Sequence, residues 1–380
     1  MVLQHIDPPI YIDSNEKLQQ FCAQWAQAKV LALDTEFIRT DTFYPIAALI
    51  QLADGNGYYL IDPLTIDDFS PFKALLIDEG IIKVLHSCSE DLEVFDRLFG
   101  VLPRPLIDTQ LAAGLDGLGF SLSYQAMTEA LLQVHVPKGE TRSNWLQRPL
   151  SESQIHYAML DVVYLLQMYP LLVDSLQQKG RLGWLQQDCD RYVDQFSDNQ
   201  VISQYYKKIS SAWKLSGPQL AILQVITEWR EQQARVQNIP RGRVLKDRSC
   251  YEIARLQPQS FKTLAAIEDM NGKTLRNHSD TLLTLIQTAR DLSKENCPEP
   301  LPKPLPPQAG AVLKRLKVHV RQCAERLGVA QELLVKKRDY EALLRSGQNG
   351  QAYQLPETLR GWREDLIGNE LLALLSRENL

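Results

Sequence analysis

The apolar run Val30-Leu31-Ala32-Leu33 ends in Asp34-Thr35-Glu36, which sets two carboxylates where a core strand should simply stop. A continuous apolar run reads as a strand buried on both faces. Side chains alternate along a strand, so Asp34 and Glu36 project to the same side. Like charges on one face repel, and burying either costs several kcal/mol without a compensating positive group. Taken alone, the pair has an ordinary explanation: the strand has surfaced and both acids are solvated.

Two further acids resist that explanation. In "SEDLEVFDRLFG" the apolar face of a helix starting near Ser89 runs through Leu92, Phe95, Leu98 and Phe99. Asp91 lies one turn before Phe95 and two before Leu98, so it falls on the inward face, whereas Glu90 does not. Complementing the helix N-terminus would suit Glu90 equally well and leaves the inward position unexplained. In "HYAMLDVVYLL" Asp161 sits among Ala158, Met159, Leu160, Val162 and Val163, with Tyr157 one turn earlier on the same face. A carboxylate in such a helix needs a partner, either a neighbouring hydroxyl or a shared cation.

Asp34, Glu36, Asp91 and Asp161 have no lysine or arginine beside them in sequence. Oxygen-only ligand sets select hard cations, Mg²⁺ or Mn²⁺. Two such ions roughly 3.5–4 Å apart would stabilise the attacking and leaving oxygens of an in-line phosphoryl displacement. On this reading the strand ends in carboxylates because it holds metal.

The elements that must position these groups follow from pattern. "VLALDTEF", "AALIQLAD" and "GYYLID" read as three strands of an antiparallel meander, with "DGNG" turning between the last two. Residues 67 to 78 then read as a helix, 81 to 87 as a strand, 89 to 99 as a helix closed by Gly100, and 105 to 114 as a strand running into a helix. From there to about residue 196 the pattern is mostly helical. This is an α/β architecture with a mixed sheet flanked by helices. From about 212 the chain is helical and basic. The stretch "CPEPLPKPLPPQ" (297 to 308) holds six prolines and reads as a stiff, extended connector. It separates two helical segments that echo each other, "LKDRSCYEIARL" (245 to 256) against "LVKKRDYEALLR" (334 to 345). The expected domains are 1–200, 210–293 and 309–375, with 294–308 as linker.

Bulk properties constrain the setting. A chain of 380 residues exceeds one ordinary core. No apolar run suggests a membrane span, and "MVLQHIDPPIYID" lacks the features of a signal peptide. Cysteines 22, 88, 189, 250, 297 and 323 show no paired spacing, which argues against a zinc site or disulfide framework and for a reducing cytoplasm. The net charge of -5 conceals an asymmetry: residues 1–200 carry 13 Lys and Arg against 27 Asp and Glu, whereas 201–380 carry 28 against 19. An acidic half joined to a basic half suits a catalytic part joined to a polyanion-binding part.

"DTEF" (34 to 37), "HSCSEDLEVF" (86 to 95), "IDTQLAA" (107 to 113) and "NWLQRPLSESQIHYAMLDVVYL" (144 to 165) resemble the exonuclease motifs of the ribonuclease D family, within the DEDD 3'→5' exonuclease superfamily. The Tyr157-x-x-x-Asp161 spacing is that of its tyrosine-bearing branch. The basic helical segments resemble the helicase-and-RNase-D C-terminal (HRDC) module, of which that family carries two. The resemblance implies an RNase H-like exonuclease domain followed by two small all-α domains. It implies that Asp34 bridges two metals, that Glu36 and Asp161 complete the shell of the metal activating water, that Asp91 supports the second metal, and that Tyr157 orients the attacking water. One local difference is Ser87-Cys88-Ser89, which relatives often fill with smaller residues; Cys88 beside the metals is an expected oxidation liability.

Further candidates for substrate contact are His86, for which a structural hydrogen bond is the better explanation, and Arg142, Trp145 and Arg148, whose segment serves equally well as the entry to the Tyr157 helix; Asp108 is expected to support the site or be structural. The clusters Arg241/Arg243/Lys246/Arg248 and Lys336/Lys337/Arg338 are candidate phosphate contacts, although surface charge is more often only solvated. The implied activity is metal-dependent hydrolysis of RNA from its 3' end, releasing nucleoside 5'-monophosphates. Precursor tRNA is the implied substrate class, and the chain is expected to be a cytoplasmic monomer. A DNA exonuclease would use the same motifs, because recognition of the 2'-hydroxyl depends on geometry. A non-catalytic adaptor predicts the loss of one or more acids, and all four are present with Tyr157.

Overall fold

The computed structural model describes residues 7–137, 139–140, 143–198, 201–348 and 351–376. Six strands, β1 (Ile10–Ile12), β2 (Val30–Ile38), β3 (Ile46–Ala53), β4 (Tyr58–Ile61), β5 (Ile82–Leu85) and β6 (Leu106–Asp108), form one sheet in the order β1-β4-β3-β2-β5-β6. β3 and β4 are antiparallel, while β1–β4, β2–β5 and β5–β6 are parallel. The mixed sheet is as expected, but β1 was not foreseen, because three residues are too few to show alternation. The motif strand β2 lies between β3 and β5, and its Leu31, Ala32 and Leu33 are fully buried.

Around the sheet lie α1 (Asn15–Trp25), α2 (Ser70–Leu76), α3 (Ser89–Phe99), α4 (Thr109–Asp116), α5 (Tyr124–Leu132), α6 (Glu152–Gln178) and α7 (Leu182–Asp198). Helix α3 stops at Gly100, whose φ of 69° is one that glycine adopts without strain. Helix α6 starts from a capping box: Gln154 N donates to Ser151 Oγ at 3.1 Å and Ser151 N donates to Gln154 Oε1 at 3.0 Å. With 27 residues, α6 is long and apolar enough to cross a membrane by length and composition, contrary to the sequence-based expectation. Half of its most apolar window is buried in the protein, where it packs on β2, β4, β5 and α4. It is the core helix of the sheet layer, and its hydrophobicity serves that packing.

Two helical modules follow. The first holds α8 (Gly217–Gln237), α9 (Arg241–Val244), α10 (Asp247–Leu256), α11 (Phe261–Ala265) and α12 (Gly272–Arg290). The second holds α13 (Ala309–Leu327), α14 (Gln331–Leu334), α15 (Lys337–Ser346) and α16 (Asn369–Ser376). In each, a long helix, a one-turn helix and a ten-residue helix with a basic start succeed one another. Each has its own apolar core, around Leu223, Ile226, Ile253 and Leu282 in the first and around Leu316, Val320, Leu343 and Leu371 in the second.

Contacts divide the chain into two units that do not follow chain order. One comprises Met1–Ile38, Ala47–Gln195 and Leu305–Leu380; the other comprises Arg39–Ile46 and Phe196–Pro304. The second module therefore belongs to the sheet-bearing unit. Arg363 donates to both oxygens of Asp188 at 2.6 and 2.7 Å, and Trp362 stacks on Trp184 with ring centres 4.5 Å apart. In the other unit, Asn238 Oδ1 accepts from the Phe43 and Tyr44 amides, and the Arg241 guanidinium lies 4.6 Å from the centre of the Phe43 ring.

Candidate active site

Strand β2 and helices α3 and α6 bring the sequence-predicted acids together at one end of the sheet layer. Asp34, Glu36 and Asp161 each offer a carboxylate oxygen, and these oxygens lie within 4.8 Å of one another. Asp91 lies outside that trio and is held separately: the Thr35 hydroxyl donates to its Oδ1 at 2.5 Å. Its charge still acts on the other three acids.

The electrostatics are those of crowded anions. Burial, followed by repulsion from Asp91, Asp161 and Glu36, holds the Asp34 carboxyl well above the usual range. Burial and then Asp161 and Asp91 push Glu36 up to about 9. Burial and then Asp91 push Asp161 up to about 8. Asp91 rises only to about 6, because the Thr35 hydroxyl and the backbone amide at the start of α3 stabilise its anion against burial. No lysine or arginine offsets these shifts among the described residues. An all-carboxylate donor set this close, with its charge uncompensated, fits hard divalent cations.

Tyr157 lies one helical turn before Asp161, and burial together with Asp161, Glu36 and Asp34 raises its hydroxyl above the ordinary 10. The phenol therefore keeps its proton at neutral pH, so it can donate a hydrogen bond while no phenolate is available to act as a base. Its ring is clasped from two sides. The Trp145 ring centre is 6.1 Å away, and a Cβ added at Gly139 would come within 2.6 Å of Tyr157 Cδ2. Behind α6, the buried Tyr124 hydroxyl donates to the Leu160 carbonyl at 2.6 Å, one residue from Asp161.

The candidate substrate-contact residues have other work. His86 has both ring nitrogens engaged, Nδ1 with Thr109 Oγ1 at 3.0 Å and Nε2 with the Leu122 carbonyl at 3.1 Å, and burial lowers its pKa. Arg148 grips Asp62 with Nε at 2.5 Å and Nη2 at 2.8 Å and also donates to the Ala48 and Trp145 carbonyls. Tyr11 completes that network by donating to Asp62 at 2.6 Å. Trp145 is 2% exposed, so its ring is no open stacking platform. Arg148 and Trp145 hold the segment before α6, and His86 ties the end of β5 to the start of α4 and to Leu122. Arg142 lies outside the described residues.

Asp108 caps α4 and accepts from the Ser87 and Cys88 amides at 3.1 and 3.0 Å, which ties together the starts of α3 and α4. Cys88 is fully buried, and burial and Asp108 raise its thiol, so the reactive thiolate is suppressed and the expected oxidation liability is removed. The first basic cluster is neutralised within its own unit. Arg241 pairs with Glu231, Arg243 with Asp41, Lys246 with Asp269 and Arg248 with Glu268.

Sequence reasoning missed Thr35, Tyr124 and Gly139. Thr35 was visible as the residue between two acids, and Gly139 as a glycine in a polar loop before α6. Nothing in the sequence ties Tyr124 to the site.

Comparison with known proteins matches residues 9–177 to a 3'-5' exonuclease family, 219–286 to the HRDC domain and 307–371 to the C-terminal HRDC domain of ribonuclease D. The chain is 45% identical over 365 residues to ribonuclease D of Pseudomonas paraeruginosa, covering 96% of this chain and 97% of that one. It is 36% identical to ribonuclease D of Escherichia coli over 373 residues, covering 96% and 97%. The solved structure of Escherichia coli RNase D, described as an exoribonuclease involved in structured RNA processing, aligns with a TM-score of 0.91 at 35% identity, covering 98% of this chain and 100% of that one.

Proposed function

The chain belongs to the ribonuclease D family and is a 3'→5' exoribonuclease; on that premise we propose that it trims structured RNA, precursor tRNA among it, with two divalent ions, Mg²⁺ or Mn²⁺. The observation that carries the metal reading is the trio Asp34, Glu36 and Asp161, whose carboxylate oxygens lie within 4.8 Å of one another. The ions would neutralise charge on the attacking and leaving oxygens and favour hydroxide over water. Asp34 would serve both ions, Glu36 and Asp161 the one nearer the attacking water, and Asp91 the other. Tyr157 donates to the attacking water and aims it, its raised pKa keeping the proton on the phenol. The products are nucleoside 5'-monophosphates.

The proposed division of the chain is an exonuclease domain (1–200) and two HRDC domains (210–293 and 309–375) around the proline-rich 294–308. The helical domains hold the body of the RNA, and the chain works as a cytoplasmic monomer. The test uses a 5'-labelled structured RNA with a single-stranded 3' tail beside the matching DNA, with wild type and Asp161→Asn, in Mg²⁺, Mn²⁺ and EDTA. A ladder shortening from the RNA 3' end, lost in EDTA and in the variant, is expected. Shortening that persists in EDTA refutes the metal assignment.

A further inference from the structure

The two helical modules look alike in sequence, but their cations meet different fates. In the first module each member of the basic cluster faces a carboxylate, although three of the four pairs are exposed at both ends; in the second, Arg338 has Asp339 at 3.8 Å. In the second, Lys314, Lys317 and Lys336 have no carboxylate partner among the described residues. Arg321 and Lys337 have only exposed, loose partners one turn away, at 3.8 and 3.9 Å. Such pairs contribute little to stability and exchange readily for another anion.

These cations line one continuous groove. Lys314, Lys317 and Arg321 fall on a single face of α13, stepped by about 4.5 and 6 Å along its axis. They border a recess of about 480 Å³. A second recess of about 350 Å³ shares Lys317 and Gln331 with the first and continues to Lys336, Lys337 and Phe120. Together the two recesses are lined by five cations against a single described carboxylate, Glu332. Lys336 is held below the ordinary lysine range, first by burial and then by repulsion from Arg338 and Arg363, which outweigh the attraction of Asp339 and Asp188.

Phe120 is the other half of the argument. It lies between α4 and α5, on the sheet-bearing part, yet 49% of it is exposed, and it borders the groove beside Lys317 and Lys336. A large ring left open beside a row of unpaired or loosely paired cations suits a polymer that alternates charge with flat bases. The groove is also preassembled. The Arg363–Asp188 pair that joins its two sides is about 9% exposed at each end, and Arg181 donates to the Leu327 carbonyl at 2.6 Å.

We infer that this groove, built jointly by the second HRDC domain and the Phe120 loop, is a binding track for single-stranded RNA, with phosphates along Lys314, Lys317, Arg321 and Lys336 and a base stacked on Phe120. The inference rests on the exoribonuclease reading and goes beyond it by assigning RNA retention to the second module rather than to the basic cluster of the first. An acidic polypeptide would satisfy the cations but give Phe120 no role.

The test measures binding of the full chain, in EDTA to prevent hydrolysis, to a 5'-labelled RNA hairpin with a 3' tail across a salt series. Lys314→Gln/Lys317→Gln/Arg321→Gln should weaken binding and reduce the slope of log affinity against log salt by about 2, at roughly 0.7 per single-strand phosphate. Phe120→Ala should weaken binding about tenfold, the scale of one lost base–ring stack, with the slope unchanged. All four side chains are exposed, so their replacement leaves the core intact. Wild-type affinity and slope in both variants overturn the proposal. So does a triple variant that loses a poly-glutamate peptide as readily as RNA while Phe120→Ala binds RNA normally. If instead the wild type fails to shorten the RNA in Mg²⁺, it is the exoribonuclease reading that falls.

Discussion

Replacing Asp161 by asparagine should stabilise the metal-free protein while disabling it. The Asp161 carboxyl is pushed from 3.8 up to about 8 in the folded protein. The sign follows from linkage. Below the unfolded value the group is protonated in both states and contributes nothing. As pH rises toward 8 the folded state must either keep the proton or hold the charge, so stability falls through that window and levels off above it. Taken at face value, four pH units correspond to more than about 5 kcal/mol. The carboxylate is partly exposed, and discounting by half leaves about 2–3 kcal/mol.

Thermal melting in EDTA at pH 5 and pH 8 reads this directly. Wild type should lose stability between the two, whereas Asp161→Asn should lose less and melt roughly 5–10 °C higher at pH 8. Adding Mg²⁺ or Mn²⁺ should reverse the order, because the ion binds the intact carboxylate cluster and stabilises it by mass action. A variant that melts no higher than wild type in EDTA at pH 8 would refute the crowded-anion account. An equal metal-induced shift in both proteins would refute the assignment of Asp161 as a ligand.

Gly139→Ala should drive a methyl into the Tyr157 ring and lower kcat about 10- to 100-fold by misaiming the phenol. Metal titration of the melt should be unchanged, and a wild-type kcat would show that Tyr157 is not held by this loop. Arg363→Ala leaves Asp188 buried without its partner and should destabilise the sheet-bearing unit by about 3–5 kcal/mol. Limited proteolysis should then cut within 297–308 faster than in wild type, and unchanged cleavage would refute the docking role of that ion pair.

The acids were legible because their logic is local. Period-two alternation places Asp34 beside Glu36 on β2, and helical spacing turns Asp91 inward on α3 and sets Tyr157 one turn from Asp161 on α6. Each inference needs only the geometry of one element and the cost of burying a charge. The three-residue β1 escaped because no periodicity fits in so short a run. The apolarity of α6 was underestimated as a signal because a core helix and a membrane helix share composition and differ only in what surrounds them.

The sequence by itself determined the candidate site of this protein: which strand and helices carry carboxylates, that no lysine or arginine adjoins them in the chain, and that an acidic half precedes a basic one. Tertiary structure alone decided the fate of every group whose partner is distant in the chain. Arg148 is spent on Asp62, 86 residues away, and His86 on Thr109 and Leu122, so each already has work within the protein. Two basic clusters with similar sequences differ because Glu231, Asp41, Asp269 and Glu268 each reach a member of one, while in the other Lys337 and Arg338 have only loose partners, Glu341 and Asp339, and Lys336 and Lys337 border a groove beside Phe120. Charge is written in the residue, but whether it is available depends on which oppositely charged group the fold brings within hydrogen-bond distance.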